Sequence, residues 1–114
     1  MQIKHEYEGR LATMWLDGRL TKQLNPIADD YFKEMLATNS EFTNLIIDLK
    51  KVLHMDSSGV GMLVQFYKSI TERGGRVALV QLSESVGATL KMTRLDDIFE
   101  IQSDIAAARE ELML

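Results

Sequence analysis

At 114 residues, 46% hydrophobic and 26% charged, the chain has the size and composition of one compact domain with a real core, and no room for a second. It contains no cysteine, which excludes a disulfide framework, a cysteine-based zinc site and a thiol nucleophile together. A formal net charge of −4 without a long basic block argues against nucleic-acid binding, because phosphate contacts need clustered lysine and arginine.

No apolar run approaches the ~20 residues that cross a bilayer. The opening Met1-Gln2-Ile3-Lys4-His5-Glu6 mixes charge with apolar residues and lacks a signal-peptide core. The expectation is a cytoplasmic domain over residues 1–114 that does not insert into membranes.

In chain order, Met1 to Tyr7 alternates Ile3, His5 and Tyr7 to one side and reads as a short strand. Glu8-Gly9 is a turn, and Arg10 to Leu16 is the partner strand of an antiparallel hairpin. Asn25-Pro26 opens a helix, with Asn25 expected as the N-cap and Ile27, Tyr31, Phe32, Met35 and Leu36 as its buried stripe. Leu45-Ile46-Ile47-Asp48-Leu49 is nearly continuous and apolar, the pattern of a central strand covered on both faces. Lys50 to Asp56 reads as a loop.

A second helix follows from about Ser58 to Arg73, with Ser57 or Ser58 expected at its N-cap. Val60, Leu63, Val64, Phe66, Tyr67 and Ile70 share its broad apolar face. Met62 falls on the more polar side beside Gly61 and Ser58, as a flexible partner contact or as a flank of the core. Gly74-Gly75 ends the helix, since glycine tolerates the left-handed conformation there. Arg76 to Gln81 is another apolar strand. Ser83 caps a third helix to about Met92, with Val86, Leu90 and Leu95 facing inward. Ile98 to Ile101 is a short last strand, and Ser103 caps a final helix through Leu112. The order predicts an α/β fold: a single mixed β-sheet with an N-terminal hairpin, parallel later strands joined by right-handed crossovers, and about four helices.

Chemistry concentrates in Met55-Asp56-Ser57-Ser58-Gly59-Val60-Gly61, between the buried strand and the second helix. Aspartate and serine are common there as caps alone. A dinucleotide-binding turn does not fit, because Val64 stands where the third glycine belongs. A nucleophile elbow does not fit either, because Asp56 stands two residues before Ser58. His54 lies three residues from Ser57 and lacks an orienting partner. With only His5 and His54 a transition-metal site is not expected, and the paired carboxylates belong to solvated faces.

Four segments together carry a resemblance: Asn44-Leu-Ile-Ile-Asp-Leu49, Met55-Asp-Ser-Ser-Gly-Val-Gly61, Gly74-Gly-Arg-Val-Ala-Leu-Val80 and Leu95-Asp-Asp-Ile-Phe99. They resemble the STAS domain of bacterial anti-sigma factor antagonists over nearly the whole chain. The resemblance implies a STAS fold and a regulatory binding module, with no enzymatic activity and no cofactor. It implies that Ser57, the first serine after the aspartate, is the phosphoacceptor. The implied partners are an anti-sigma factor with serine kinase activity, bound by the unphosphorylated form so that sigma is released, and a metal-dependent serine phosphatase. The partner surface is expected at Thr21, His54, Met55, Asp56, Ser58, Gly59, Gly61 and Met62. Members of the family often carry Gly-x-Leu-Asp after the second strand, whereas this chain reads Gly18-Arg19-Leu20-Thr21. Two other readings stay open. One is a STAS regulatory or scaffold module of a transporter or lipid-trafficking complex; the other is a small enzyme using Ser57 and His54.

Overall fold

In the structure, a computed structural model that describes residues 1–113, five strands form one sheet in the order β1-β2-β3-β4-β5. The elements are β1 (Gln2–Glu8), β2 (Leu11–Asp17), α1 (Asn25–Thr38), β3 (Asn44–Lys51), α2 (Ser57–Glu72), β4 (Val77–Val80), α3 (Glu84–Met92), β5 (Glu100–Gln102) and α4 (Ile105–Leu112). β1 runs antiparallel to β2, and every later pair is parallel. The mixed sheet and four helices read from the sequence are therefore present.

Parallel neighbours cannot be joined by a tight turn, so each of β2, β3 and β4 leaves its sheet through a helical crossover. The crossovers advance one strand at a time in one direction, and α1, α2 and α3 cover the same face. Their core joins Ala12, Met14 and Leu16 of β2, Leu45, Ile47 and Leu49 of β3, and Phe32, Leu63, Phe66 and Leu90 of the helices. Phe32 and Phe66 meet at 4.2 Å between ring centroids and are almost fully buried. Each such side chain contributes about 1.5–3 kcal/mol through burial. α4 covers part of the opposite face, where Ala108 and Leu112 pack on Leu11, Ile46, Ala78 and Val80.

Several local expectations are corrected. α1 turns Asn25, Ala28, Phe32 and Met35 inward, and Ile27 is 49% exposed. Asn25 is the first residue of the helix; Leu24 holds the cap position without a side-chain bond. In α2 the buried residues are Gly59, Met62, Leu63, Phe66 and Ile70, so Met62 belongs to the core and not to a polar side; Val60, Val64 and Tyr67 pack half-buried beside it. Asp104, not Ser103, caps α4 by accepting from the Ala107 N–H. β5 starts at Glu100 because Ile98 and Phe99 complete a 3₁₀ turn, both donating to the Leu95 carbonyl. β3 runs on to Lys51, two residues past the apolar run.

Arg73 fixes the far end of the helix layer. Its guanidinium donates to the Leu36, Asn39 and Phe42 carbonyls at 2.8 Å each and lies over the Phe42 ring. It thus satisfies the Leu36 carbonyl in the last turn of α1, which has no partner within that helix, and the Asn39 and Phe42 carbonyls just beyond it.

Two glycines give a paired test of the packing. A Cβ on Gly75 would sit 1.4 Å from the Thr43 carbonyl oxygen, whereas a Cβ on Gly87, inside α3, would meet nothing within 4 Å. Gly75→Ala should destabilise toward the upper end of the usual over-packing cost of about 1–3 kcal/mol. Gly87→Ala should stabilise by about 0.5–1 kcal/mol through helix propensity. Urea unfolding midpoints of the two variants, moving in opposite directions, check this.

Candidate functional site

At the exits of β2 and β3, two loops run side by side. Gly18 N–H donates to the Lys51 carbonyl at 3.3 Å, Leu20 N–H to His54 at 3.1 Å, and Asp56 N–H back to Leu20 at 3.2 Å. Leu20 and Met55 form a parallel bridge. The Thr21 carbonyl then accepts from the Leu24 and Asn25 N–H groups and starts α1. The segment around Thr21 and the segment before α2 are thereby joined next to the first turn of α2.

That turn is capped by Asp56, in place of the serine cap expected from the sequence. Its Oδ1 accepts from the Ser58 N–H at 2.9 Å, the Gly59 N–H at 3.2 Å and the Ser58 hydroxyl, while Oδ2 accepts from the Lys22 N–H at 3.4 Å. The Ser58 and Gly59 N–H groups are backbone donors at the helix start, where the helix itself leaves such groups short of partners. The Ser58 hydroxyl holds the carboxyl below the usual carboxylate range; the Gly59, Lys22 and Ser58 N–H groups add to this, against partial desolvation.

The two serines differ sharply. Ser58 is half-buried; its hydroxyl donates to Asp56 and accepts from Asn25 Nδ2 at 2.7 Å. Asn25, 33 residues earlier in the chain, thus ties the start of α1 to the start of α2, while its buried Oδ1 has no hydrogen-bond partner among the described residues. Ser57 is exposed, and its hydroxyl makes no hydrogen bond among the described residues. Its proton and lone pairs face solvent at the positive end of a sixteen-residue helix.

Of the other residues expected on a partner surface, His54 and Gly61 are exposed, and Thr21 and Asp56 are partly so. Met55, Gly59 and Met62 are buried and support the site from beneath. A Cβ on Gly59 would approach the Leu20 carbonyl to 2.6 Å and Met55 Cγ to 2.7 Å, so only glycine lets α2 start this close to the neighbouring loop. The His54 ring lines a separate depression with Gly18, Arg19, Lys51 and Leu53, and makes no hydrogen bond to either serine among the described residues. Sequence reading missed Asn25 as a site residue; its buried amide is bonded to a residue too distant in the chain for any local pattern to show. No helix among the described residues is long and apolar enough to cross a membrane.

The family model for the STAS domain matches residues 16–108. A Thermotoga maritima protein provisionally named an anti-sigma factor antagonist is 37% identical over 81 residues, which span 71% of this chain and 70% of that one. The anti-sigma F factor antagonist of Paenibacillus polymyxa is 27% identical over 112 residues, or 98% of this chain and 95% of that one. A crystal structure from Thermotoga maritima, of a protein with the same provisional name, has a TM-score of 0.89 at 26% identity, covering 98% of this chain and 95% of that one. SpoIIAA shares the fold in its unphosphorylated form, with a TM-score of 0.81 at 18% identity and coverage of 99% and 98%. The phosphorylated Bacillus form has a TM-score of 0.73 at 17% identity and coverage of 96% and 98%.

The depressed Asp56 pKa makes stability depend on pH in a defined direction. A carboxylate whose folded pKa lies below its unfolded value contributes stability that is present above the unfolded pKa and lost as pH falls through the folded one. Asp56→Ala should therefore be less stable than the parent at neutral pH. The gap should shrink steadily below the ordinary carboxylate range, read from urea unfolding curves between neutral and strongly acidic pH.

Proposed function

This chain belongs to the STAS-domain family, and we propose that it is an anti-sigma factor antagonist switched by phosphorylation of Ser57. In this reading the unmodified chain binds an anti-sigma factor that is itself a serine kinase, and sigma is released. Phosphate on Ser57 ends the binding, and a metal-dependent serine phosphatase restores it. The chain acts as a binding protein and not as an enzyme.

The observation that carries the choice of serine is the unequal state of the two hydroxyls. Modifying Ser58 would require breaking its bonds to Asp56 and Asn25 and opening the cap of α2. Modifying Ser57 requires none of this, since its hydroxyl is exposed and uncommitted among the described residues. A kinase reaches the second far more readily.

Phosphorylation adds about −1.5 to −2 charge at pH 7. At the first residue of α2 the new anion meets the positive end of the helix dipole, worth roughly 0.3–1 kcal/mol when exposed. Asp56 opposes it by like-charge repulsion, but both groups keep their water. The buried face formed by Leu63, Phe66 and Ile70 points away and is undisturbed. The modified chain keeps its fold, and the change is read by the partner, which must desolvate or repel a dianion.

Incubation with ATP and a serine-kinase anti-sigma factor of the source bacterium should place phosphate on Ser57, with none on Ser58 in peptide mass spectra. Ser57→Ala should bind that partner as the parent does and ignore ATP. Full modification of Ser57→Ala at Ser58 would overturn the assignment. Amide shifts on phosphorylation should stay within the two loops and the first turn of α2; widespread shifts through β3 and β4 would show a conformational switch instead.

Gly61 gives a clean probe of the same face, since it is exposed and a Cβ there would meet nothing within 4 Å. Gly61→Arg should fold normally and bind the partner at least about tenfold more weakly through steric and desolvation penalties. Met62, buried in the core, cannot serve as such a probe.

A further inference from the structure

The loop before α2 presents one large apolar side chain to solvent. Leu53 is 72% exposed, between Val52, which is fully buried, and His54, whose carbonyl is bonded to the Leu20 N–H. The backbone is pinned on both sides, so Leu53 is held outward on a fixed frame. Isolated exposed leucines are ordinary; what surrounds this one is not. Arg19 and Lys51 line the same depression with His54 and Gly18, and Lys22 and Lys50 lie on the same two segments.

Residues 17–22 and 50–57 carry four cations, Arg19, Lys22, Lys50 and Lys51, against two carboxylates, Asp17 and Asp56. These two segments of a chain with formal charge −4 thus hold an excess of two positive charges. Asp56 is turned inward to cap α2. None of the four cations takes part in an ion pair among the described residues, whereas Lys33, Arg76 and Arg109 are each paired. Lys22 shares another depression with the α1 carboxylates Asp29 and Asp30, so the positive side of this end is the one that holds Arg19 and Lys51.

From an exposed leucine that shares its depression with the unpaired cations Arg19 and Lys51, on the loop that leads to Ser57, we infer that this face docks an acidic surface with an apolar slot for Leu53. The inference rests on the antagonist reading and supplies the chemistry of the partner's face. Phosphate on Ser57, at about −1.5 to −2 charge, removes nearly all of the local positive excess. The attraction that orients the encounter is then lost together with the contact.

The test is calorimetric titration with the purified serine-kinase anti-sigma factors of the source bacterium, in a non-hydrolysable ATP analogue, at low and high salt. Leu53→Ser should weaken binding about tenfold or more, the scale of losing one buried leucine, and Leu53→Met should restore it. The pair Arg19→Glu with Lys51→Glu should weaken binding at least about tenfold at low salt, with the gap narrowing at high salt as screening shortens the field. The pair Lys68→Glu with Lys91→Glu makes the same change in net charge away from the site and should stay within about twofold of the parent. Parent-like binding by Leu53→Ser and by the Arg19/Lys51 pair, with Ser57 still phosphorylated by the same kinase, would overturn the inference and leave the antagonist reading standing. Equal weakening by the Lys68/Lys91 pair would overturn it too, since net charge and not this face would then set affinity. If no kinase either binds or phosphorylates the parent chain, the antagonist reading fails and the inference fails with it.

Discussion

The constraint on which the rest of the molecule depends is that β3 must be covered on both faces. Leu45, Ile46, Ile47 and Leu49 are fully buried; Leu45, Ile47 and Leu49 face the three crossover helices, and Ile46 faces α4. A strand buried on both sides and paired in parallel on both edges can be entered and left only through helical connections. Those connections bring the exit of β2 beside the exit of β3. The loop that opens α1 therefore meets the loop that opens α2, at the end of a parallel sheet where function commonly gathers. The site is a consequence of the sheet's wiring before any side chain in it is considered.

Within that site the four residues Asp56 to Gly59 divide the work. Asp56 caps the helix, Ser58 links the cap to Asn25, and Gly59 leaves space for Leu20. Three of the four positions are fully used in building the junction. Ser57 alone has no structural task among the described contacts, which leaves its hydroxyl free to take part in a reaction. Chemical availability at Ser57 is thus the complement of structural commitment at its neighbours.

Much of this was legible in the chain. The unbroken apolar run of β3, the glycine pair after α2 and the short hairpin are local signals, and each led to the right element. Asp56-Ser57-Ser58-Gly59 stood out for its place between a buried strand and a helix. What could not be read was which polar group would serve which partner. Asn25 looked like a cap because asparagine before proline usually is one; its amide instead reaches Ser58. Arg73 closing the end of α1 depends on carbonyls more than thirty residues away. Met62 is a different case, because Gly59, Met62, Leu63, Phe66 and Ile70 follow the spacing of one helical stripe. A small glycine at the head of that stripe concealed it. Ile27 shows the reverse: an apolar residue left outside because α1 is rotated to bury Asn25 and Ala28.

The seam between the two loops also has a kinetic meaning. The amides of Gly18, Leu20 and Asp56 are bonded across the seam, and Gly59 packs against Leu20 beneath it. Regulatory segments are usually drawn from the loosely held part of a protein, where amide protons exchange with solvent through frequent local opening. Here those three amides exchange when the two loops part, and the close approach of Gly59 to Leu20 and Met55 couples that parting to the first turn of α2. On the proposed antagonist reading, the surface that meets the partner is ordered before contact, so little loop entropy remains to be lost on docking.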